Sequence, residues 1–217
     1  MIRRDYFLRV VQEMTQTLAR VLFLKQREEY TQAMQEIGAA LRKLSDVPAD
    51  ETKELSLEGW LELCDRHEGA ASGLLLGLAD LLHEQGELFS MQSRSDDTQG
   101  ARVVALGLFI EALLRGETFV SKELMFKVEE LIAQCAAGPM PASLRVRLAR
   151  YYEARGRFGA VEDVLFDWRD SGEPGAVEAG AEFFERLLVK TDAELERGGL
   201  PRAEVEEGRR ELLAKRS

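Results

Sequence analysis

The chain has 217 residues, of which 45% are hydrophobic and 31% are charged, and its formal net charge at pH 7 is −10. This composition is typical of a globular protein, and the excess of negative charge argues against a general nucleic-acid binder, because phosphate backbones would be repelled. The two cysteines, Cys64 and Cys135, are far apart and provide no disulfide framework, which favours a reducing, cytoplasmic location.

Membrane insertion and export are not expected. No apolar run approaches the roughly 20 residues that a bilayer-spanning helix needs. The best candidate, residues 74–82, already contains Asp80. Residues 1–14 include arginines but no uninterrupted apolar core, so they are not a signal peptide. We therefore predict no membrane partner.

Apolar residues recur at spacings of three and four along most of the chain, which is the pattern of helices with one buried face. In chain order, the predicted helices are residues 3–26, 28–44, 57–66, 70–93, 99–115, a helix from the N-cap Ser121 to about residue 135, two short helices within 144–173, and helices over 176–197 and 201–215. A turn is predicted at residues 94–97. The sequence thus predicts an all-α protein of about ten helices, paired as antiparallel hairpins.

The clearest local signal lies in residues 144–173, two short helices joined at Gly156. Five residues lie at the relative spacing of a tetratricopeptide repeat, a helix–turn–helix unit of about 34 residues: Tyr152, Gly156, Phe158, Val161 and Leu165. Gly156 suits a helix end that needs positive φ, and Phe158 can wedge between the two helices. A second match runs from Leu24 to Ala40, with Glu28 in place of the turn glycine.

The irregular spacing of these units predicts a degenerate, right-handed tetratricopeptide-like array in a single domain of residues 1–217. Its charged last helix, about 201–215, is expected to be the C-terminal cap. Residues 1–6, MIRRDY, and residues 199–208, GLPRAEVEEG, resemble an uncharacterised bacterial family of tetratricopeptide-like helical proteins, a domain of unknown function. This resemblance spans most of the chain and implies the fold, but it implies no activity and no site residues.

Candidate metal ligands and nucleophiles are few and scattered. Cys64 and His67 have a spacing that could hold two zinc ligands, but a structural zinc site needs four, and we expect Cys64 to be a buried thiol. We interpret Asp80 and His83, three residues apart, as a surface pair. Cys135 shows no sign of thiolate activation. We predict no catalytic residue, no cofactor and no metal site.

A row of glycines at residues 69, 73 and 77 is spaced by four. A phosphate-binding loop would require a following Gly-Lys-Ser or Gly-Lys-Thr and a preceding strand, and neither is present. We interpret the small residues as the place where two helices approach closely.

Five arginines reverse the sign of charge locally: Arg145, Arg147, Arg150, Arg155 and Arg157. The repeat register points Arg147 and Arg150 to the inner face of the array. The resemblance to tetratricopeptide grooves implies that these two residues, with Glu153, bind an acidic peptide or a chain terminus. The alternative is that the arginines pair on the surface with Glu153, Glu162 and Asp163, where each pair contributes about 0–1 kcal/mol.

We therefore predict a non-enzymatic protein-interaction module or scaffold with a protein or peptide partner, such as an acidic peptide in a concave groove. Two alternatives remain open. The first is a self-associating structural protein, such as a homodimer, that uses the apolar stripe of helix 3–26. The second is an enzyme with a pocket around Cys64, His67 and His83.

Overall fold

The computed structural model of the protein describes residues 2–45, 55–66, 71–116 and 121–214, and within these ranges the secondary structure is helical without any strand. The helices are α1 (Ile2–Gln26), α2 (Tyr30–Ser45), α3 (Leu57–Asp65), α4 (Ala71–Met91), α5 (Ser95–Arg115), α6 (Lys122–Cys135), α7 (Ala142–Ala154), α8 (Phe158–Asp170), α9 (Ala176–Leu188), α10 (Asp192–Arg197) and α11 (Arg202–Leu213). The all-α prediction of about ten helices is confirmed.

The predicted helix 176–197 is in fact two helices, because Thr191 starts a new one. The Thr191 hydroxyl accepts a hydrogen bond from the Glu194 N–H at 3.3 Å, and the Glu194 carboxylate accepts one from the Thr191 N–H at 2.9 Å. This reciprocal capping box satisfies two N–H groups that a helix start would otherwise leave without partners. The apolar spacing continues through the break, so periodicity alone did not reveal it.

The predicted turn at residues 94–97 lies too late in the chain. Helix α5 begins at Ser95, and the turn occupies residues 92–94. Asp96 and Asp97 belong to the first turn of α5. Acidic residues at this position stabilise a helix through its dipole, so two residues that resemble a loop in the sequence in fact begin a helix.

Four helix–helix turns close in the same way, with one residue in the left-handed conformation. These residues are Glu28, Ser93, Gly156 and Gly199, with φ angles of 61°, 57°, 67° and 73°. In each turn the next residue donates its N–H to the carbonyl five residues earlier, as Arg157 does to Tyr152 at 2.9 Å. This is the Schellman motif, which ends a helix and reverses the chain. Glu28 therefore occupies the position that the repeat template assigns to glycine.

The contacts divide the chain into two compact units, Met1–Met140 and Pro141–Ser217. In the first unit, Gly86 packs on Ala101, and Glu87 pairs with Arg102 at 3.0 Å. Because only residues 92–94 connect α4 to α5, these two packed helices are antiparallel. Helix α1 packs against α4 where a Cβ on Gly77 would lie 2.1 Å from the Met14 sulfur. This contact confirms the interpretation of Gly77 as a close-approach residue. Residue 69 lies outside the described ranges.

In the second unit, α9 and α11 are antiparallel and in close contact. A Cβ on Gly180 would lie 1.8 Å from Leu212, and Glu185, about one turn later on α9, pairs with Arg209, about one turn earlier on α11. The first residues of α7 and α9, at 142 and 176, are 34 residues apart, and those of α8 and α10, at 158 and 192, are also 34 residues apart. This recurrence equals the tetratricopeptide period. The assignment to that class stays a prediction.

Phe158 joins the α7–α8 hairpin to the turn after α10. Its side chain is only 5% exposed, and a Cβ on Gly198 would lie 2.1 Å from the ring. A backbone hydrogen bond joins the same two segments, since the Gly159 N–H donates to the Gly198 carbonyl at 3.1 Å. Phe158 is therefore buried, as predicted, and one of its neighbours is Gly198.

Replacing this ring should destabilise the second unit. We expect Phe158→Ala to lower the free energy of unfolding by about 3–5 kcal/mol, because the lost burial is accompanied by a cavity. Phe126→Ala is the matched control, since Phe126 is 73% exposed and its removal should change stability by less than about 0.5 kcal/mol. Chemical denaturation of both variants measures the difference. Equal effects of the two substitutions would contradict the burial of Phe158.

Candidate interaction surfaces

Helix α7 buries one side and exposes the other. Leu144, Leu148 and Tyr151 are buried, as the spacing of three and four requires. Arg147 is half-buried and Arg150, three residues later, is exposed. Residues three apart lie on neighbouring positions of a helix surface, so these two arginines can act on the same ligand. We call Arg147 and Arg150 the arginine pair.

The two members of the arginine pair differ in how they are held. Arg147 Nη1 donates to the Ser143 carbonyl at 2.9 Å, one turn earlier on the same helix. Arg150 has neither an ion pair nor a side-chain hydrogen bond within the described ranges of the chain. Its guanidinium is therefore exposed to solvent, with all of its donors available to a ligand.

Glu153, the third predicted peptide-binding residue, is joined to α9. Its two oxygens accept hydrogen bonds from Arg186, from Nε at 2.7 Å and from Nη2 at 2.8 Å. These hydrogen bonds are the main cause of the raised pKa of Arg186, and the negative charge of Glu153 adds to it. The carboxylate of Glu153 is thus neutralised from inside the protein. A peptide-binding role for Glu153 stays a prediction, and its observed contact links α7 to α9.

The other arginines of the cluster do not join the arginine pair in one patch. Arg145 is buried, with 9% of its surface exposed. Arg155 lies over the Tyr151 ring at 5.6 Å, and Arg157 lies over the Tyr152 ring at 4.6 Å. Such cation–π contacts hold a guanidinium against its own hairpin. The run of arginines in the sequence therefore separates into residues with different surroundings.

The residues considered for nucleophilic or metal chemistry lie in apolar or paired environments. Cys64 and Cys135 are both buried, and burial raises the pKa of each thiol to about 12. The buried-thiol interpretation of Cys64 is confirmed. His67 lies outside the described residues. Each described thiol is protonated at neutral pH and is therefore a poor nucleophile.

His83 is half-buried on α4 and lies near Lys127 of α6 as well as acidic side chains of its own helix. Burial, followed by the positive charge of Lys127, lowers the pKa of His83, so that the imidazole is neutral at pH 7. Its Nδ1 is buried and has no hydrogen-bond partner among the described residues. Asp80, expected to pair with His83, bonds to Lys127 of α6 at 2.5 Å, and its negative charge also acts on His83. The local spacing did not show the contact with Lys127, because this residue comes from another helix.

An acidic groove lies between α8 and α11 and was not anticipated from the sequence. It encloses about 340 Å³, and its lining residues are Glu162, Asp163, Phe166, Glu204, Glu207, Gly208 and Glu211. Glu211 lies 3.6 Å from Arg169. The other four carboxylates have no basic ion-pair partner within the described residues. Their negative charges therefore repel one another in the folded protein.

Among these carboxylates, Glu162 has a raised pKa as a result of its position in the groove. Its carboxylate lies against α11, where a Cβ on Gly208 would be 2.1 Å from its oxygen. Burial, and then repulsion from Glu204 and Asp163, raises the pKa of Glu162 to about 7. The sequence did contain one signal, since residues 204, 207 and 211 form an acidic stripe at spacings of three and four. Nothing in the sequence showed that α8 packs against this stripe.

The described chain is thus an all-helical protein whose surfaces carry charge of both signs. No described helix has the length and apolar character needed to cross a membrane. Nor do three His, Cys, Asp or Glu side chains come together at a potential metal site among those residues.

The chain belongs to a family of unknown function, DUF6483, whose family model matches residues 1–217. The expected membership of an uncharacterised family is therefore confirmed. A tetratricopeptide-like or bacterial character of that family stays a prediction. No curated protein matches the chain, and no solved structure matches it.

The burial of the thiols predicts low reactivity. At pH 8 a thiol with a pKa of about 12 is ionised in only about one molecule in ten thousand. We expect the native protein to react negligibly with a disulfide reagent such as dithionitrobenzoate. The same protein unfolded in guanidinium chloride should release two equivalents of thionitrobenzoate. Rapid labelling of the native protein would contradict the burial of Cys64 and Cys135.

The raised pKa of Glu162 predicts that stability falls as the pH rises. Between the ordinary carboxyl pKa and about 7, the folded state binds more protons at Glu162 than the unfolded state does. The contribution of this group therefore makes the protein more stable at pH 6 than at pH 8. Glu162→Gln, which removes the charge and keeps the shape, should raise stability at pH 8 and flatten the pH dependence.

Chemical denaturation at several pH values tests this effect. Glu206→Gln is the control, because Glu206 is exposed on α11, between Glu204 and Glu207, and does not line the acidic groove. It should leave the pH dependence close to that of the unmodified protein. An unchanged slope in Glu162→Gln would show that Glu162 is ionised in the folded state well below pH 7.

Proposed function

We propose that this protein is a non-enzymatic interaction module or scaffold that binds an acidic peptide segment or a chain terminus at the arginine pair. The observation that supports this most directly is the exposure of Arg150, whose side chain has no partner among the described residues. A guanidinium group binds a carboxylate through two parallel hydrogen bonds, so it suits this class of ligand. Arg147, held at Ser143, supplies a second positive charge on the same side of α7.

The surrounding charges also favour this choice of partner. The chain as a whole carries a net charge of −10, so an acidic segment is repelled by most of its surface. Glu153 would oppose such a ligand if its charge were free, but Arg186 neutralises it with two hydrogen bonds. The arginine pair is therefore a local site of positive potential on an acidic protein. An acidic ligand is favoured at this site over the rest of the surface.

We further propose that α7 to α10 form two degenerate tetratricopeptide-like units, the second with a shortened second helix. The support is the recurrence of helix starts after 34 residues and the Schellman turn at Gly156. In this arrangement the first helices of successive units, α7 and α9, are neighbours, which agrees with the contact between Glu153 and Arg186. A partner on α7 would lie on the face that such repeats use for peptides.

The proposal of a non-enzymatic, cytoplasmic role rests on the chemistry of the described side chains. The two thiols are free and protonated at neutral pH. His83 has a lowered pKa and faces Lys127. A nucleophilic thiol would require a pKa much nearer the working pH. The same free thiols are typical of proteins kept in a reducing compartment.

The experiment measures binding of a fluorescent hexaglutamate peptide with a free carboxyl terminus, by anisotropy, in low salt. Hexalysine serves as the peptide control. We expect the hexaglutamate signal to weaken as salt is added, because exposed charges are screened beyond about 8 Å at physiological ionic strength. Arg147→Glu combined with Arg150→Glu should abolish the binding and leave the helical signal and melting temperature unchanged.

Arg197→Glu combined with Arg210→Glu provides the matched control. Both residues are exposed in the same unit, and the variant changes the net charge by the same amount. It should retain most of the binding. If the two double variants lose binding equally, the effect is one of net charge and the arginine pair is not the site. If the first variant keeps full affinity, the proposal is also wrong.

A further inference from the structure

The outer face of the α1–α2 hairpin carries four charges arranged in two ion pairs. Glu13 of α1 pairs with Lys43 of α2 at 2.7 Å, and Arg20 of α1 pairs with Glu36 of α2 at 2.7 Å. Arg20 and Lys43 keep about two thirds of their side-chain surface exposed. We call these four residues the charge rectangle, and all of them are in the first compact unit.

The signs of the charge rectangle alternate in both directions. Along α1, an acid at position 13 is followed seven residues later by a base at position 20, and along α2 an acid at 36 is followed by a base at 43. Because the two helices are antiparallel, each acid also faces a base across the hairpin. The Glu13–Lys43 ion pair and the Arg20–Glu36 ion pair, which we call the two rows, lie two turns of helix apart. Helix bundles use the same spacing for interhelical ion pairs.

The surface between the two ion pairs forms an open cavity, and several of its lining residues are small. A cavity of about 500 Å³ lies there, and the residues between the charges include Gln16, Thr17, Ala39 and Ala40. Ala39 is exposed to solvent. Seven residues beyond Gln16, on the same side of α1, Phe23 leaves 55% of its surface exposed. The face therefore combines a place for close helix approach with an exposed aromatic ring at its edge.

We propose that this face docks a second copy of the same chain, so that the two α1–α2 hairpins form a four-helix interface. Two orientations of the two-fold axis are possible, both in the plane of the face. If the axis is perpendicular to the helices, Glu13 lies opposite Arg20 of the second copy, and Glu36 lies opposite its Lys43. A two-fold axis along the helices brings Glu13 opposite Lys43 of the second copy instead. The charge rectangle is self-complementary about either axis, and this property identifies the occupant.

A foreign partner fits this face less well than a second copy. Two acids and two bases give the charge rectangle no net charge, so it attracts neither a strongly acidic nor a strongly basic segment. Its alternating pattern matches only a surface with the inverse pattern at the same spacing, and the chain itself carries one. Two-fold symmetric dimers are also the commonest assemblies of identical chains. This inference does not depend on the arginine pair, which lies in the other compact unit.

The test compares the molar mass of the full chain and its variants by light scattering after size-exclusion chromatography. The unmodified chain should have twice the monomer mass of 24.4 kDa at micromolar concentration. Glu13→Lys with Glu36→Lys makes all four charges positive, and Arg20→Glu with Lys43→Glu makes all four negative. Each variant alone should fall to 24.4 kDa, and an equimolar mixture of the two should return to twice that mass.

A quadruple variant provides the matched control. Glu13→Lys, Arg20→Glu, Glu36→Arg and Lys43→Glu together invert every charge and keep both ion pairs within the chain. The inverted rectangle is again self-complementary, so this variant should remain a dimer although it carries more substitutions. Arg147→Glu with Arg150→Glu should leave the mass unchanged, which separates this face from the peptide-binding proposal.

Ala39→Arg tests the face without removing any ion pair, in case a like-charge variant fails to fold. It places a bulky side chain between the rows and should reduce the mass to that of the monomer while the circular dichroism spectrum stays the same. Three results would overturn the proposal: a monomeric unmodified chain, like-charge variants that both remain dimers, or a mixture of the two that stays monomeric.

Discussion

A residue in the left-handed region of backbone space ends each of four helices and turns the chain back on itself. For a residue with a Cβ this conformation costs about 1–2 kcal/mol, yet Glu28 and Ser93 adopt it with φ angles of 61° and 57°. Their turns are compensated by hydrogen bonds to the preceding helix and by the packing that follows. Once such a turn is made, the register of the hairpin is set. Glu13 then meets Lys43, and the alternation of charge on this hairpin follows from that register.

The second compact unit gathers acidic side chains from two of its helices into one groove. Apolar contacts bring α8, α9 and α11 together, because Gly180 lets Leu212 approach closely and Leu165 lies beside the same glycine. The acidic residues of α8 and α11 are carried into one groove by this packing, although their charges repel. The raised pKa of Glu162 is the electrostatic consequence of that burial. Arg150 of α7, in the same unit, is exposed to solvent.

The candidate site was only partly visible in the sequence. Periodicity located α7 and the turn at Gly156, and it placed Arg147 and Arg150 on one side of the helix. It did not show that Arg145 is buried, since an arginine is ordinarily a surface residue. It also did not show that Glu153 is held by Arg186, a residue 33 positions away on another helix. Ion pairs of this kind depend on which helices are neighbours, and spacing along one helix carries no information about that.

Local chemistry therefore determined the elements of this protein, and contacts distant in the sequence determined its surfaces. Apolar spacing is sufficient to define a helix with one buried face, and glycine, proline and capping residues mark most of its ends, because these effects act within one or two turns. Thr191 shows the limit of that reasoning, since its capping box interrupts an unbroken apolar pattern. The acidic groove and the charge rectangle each join residues from two helices. Electrostatic and packing interactions act through space, so these surfaces became apparent only when the folded chain brought their residues together.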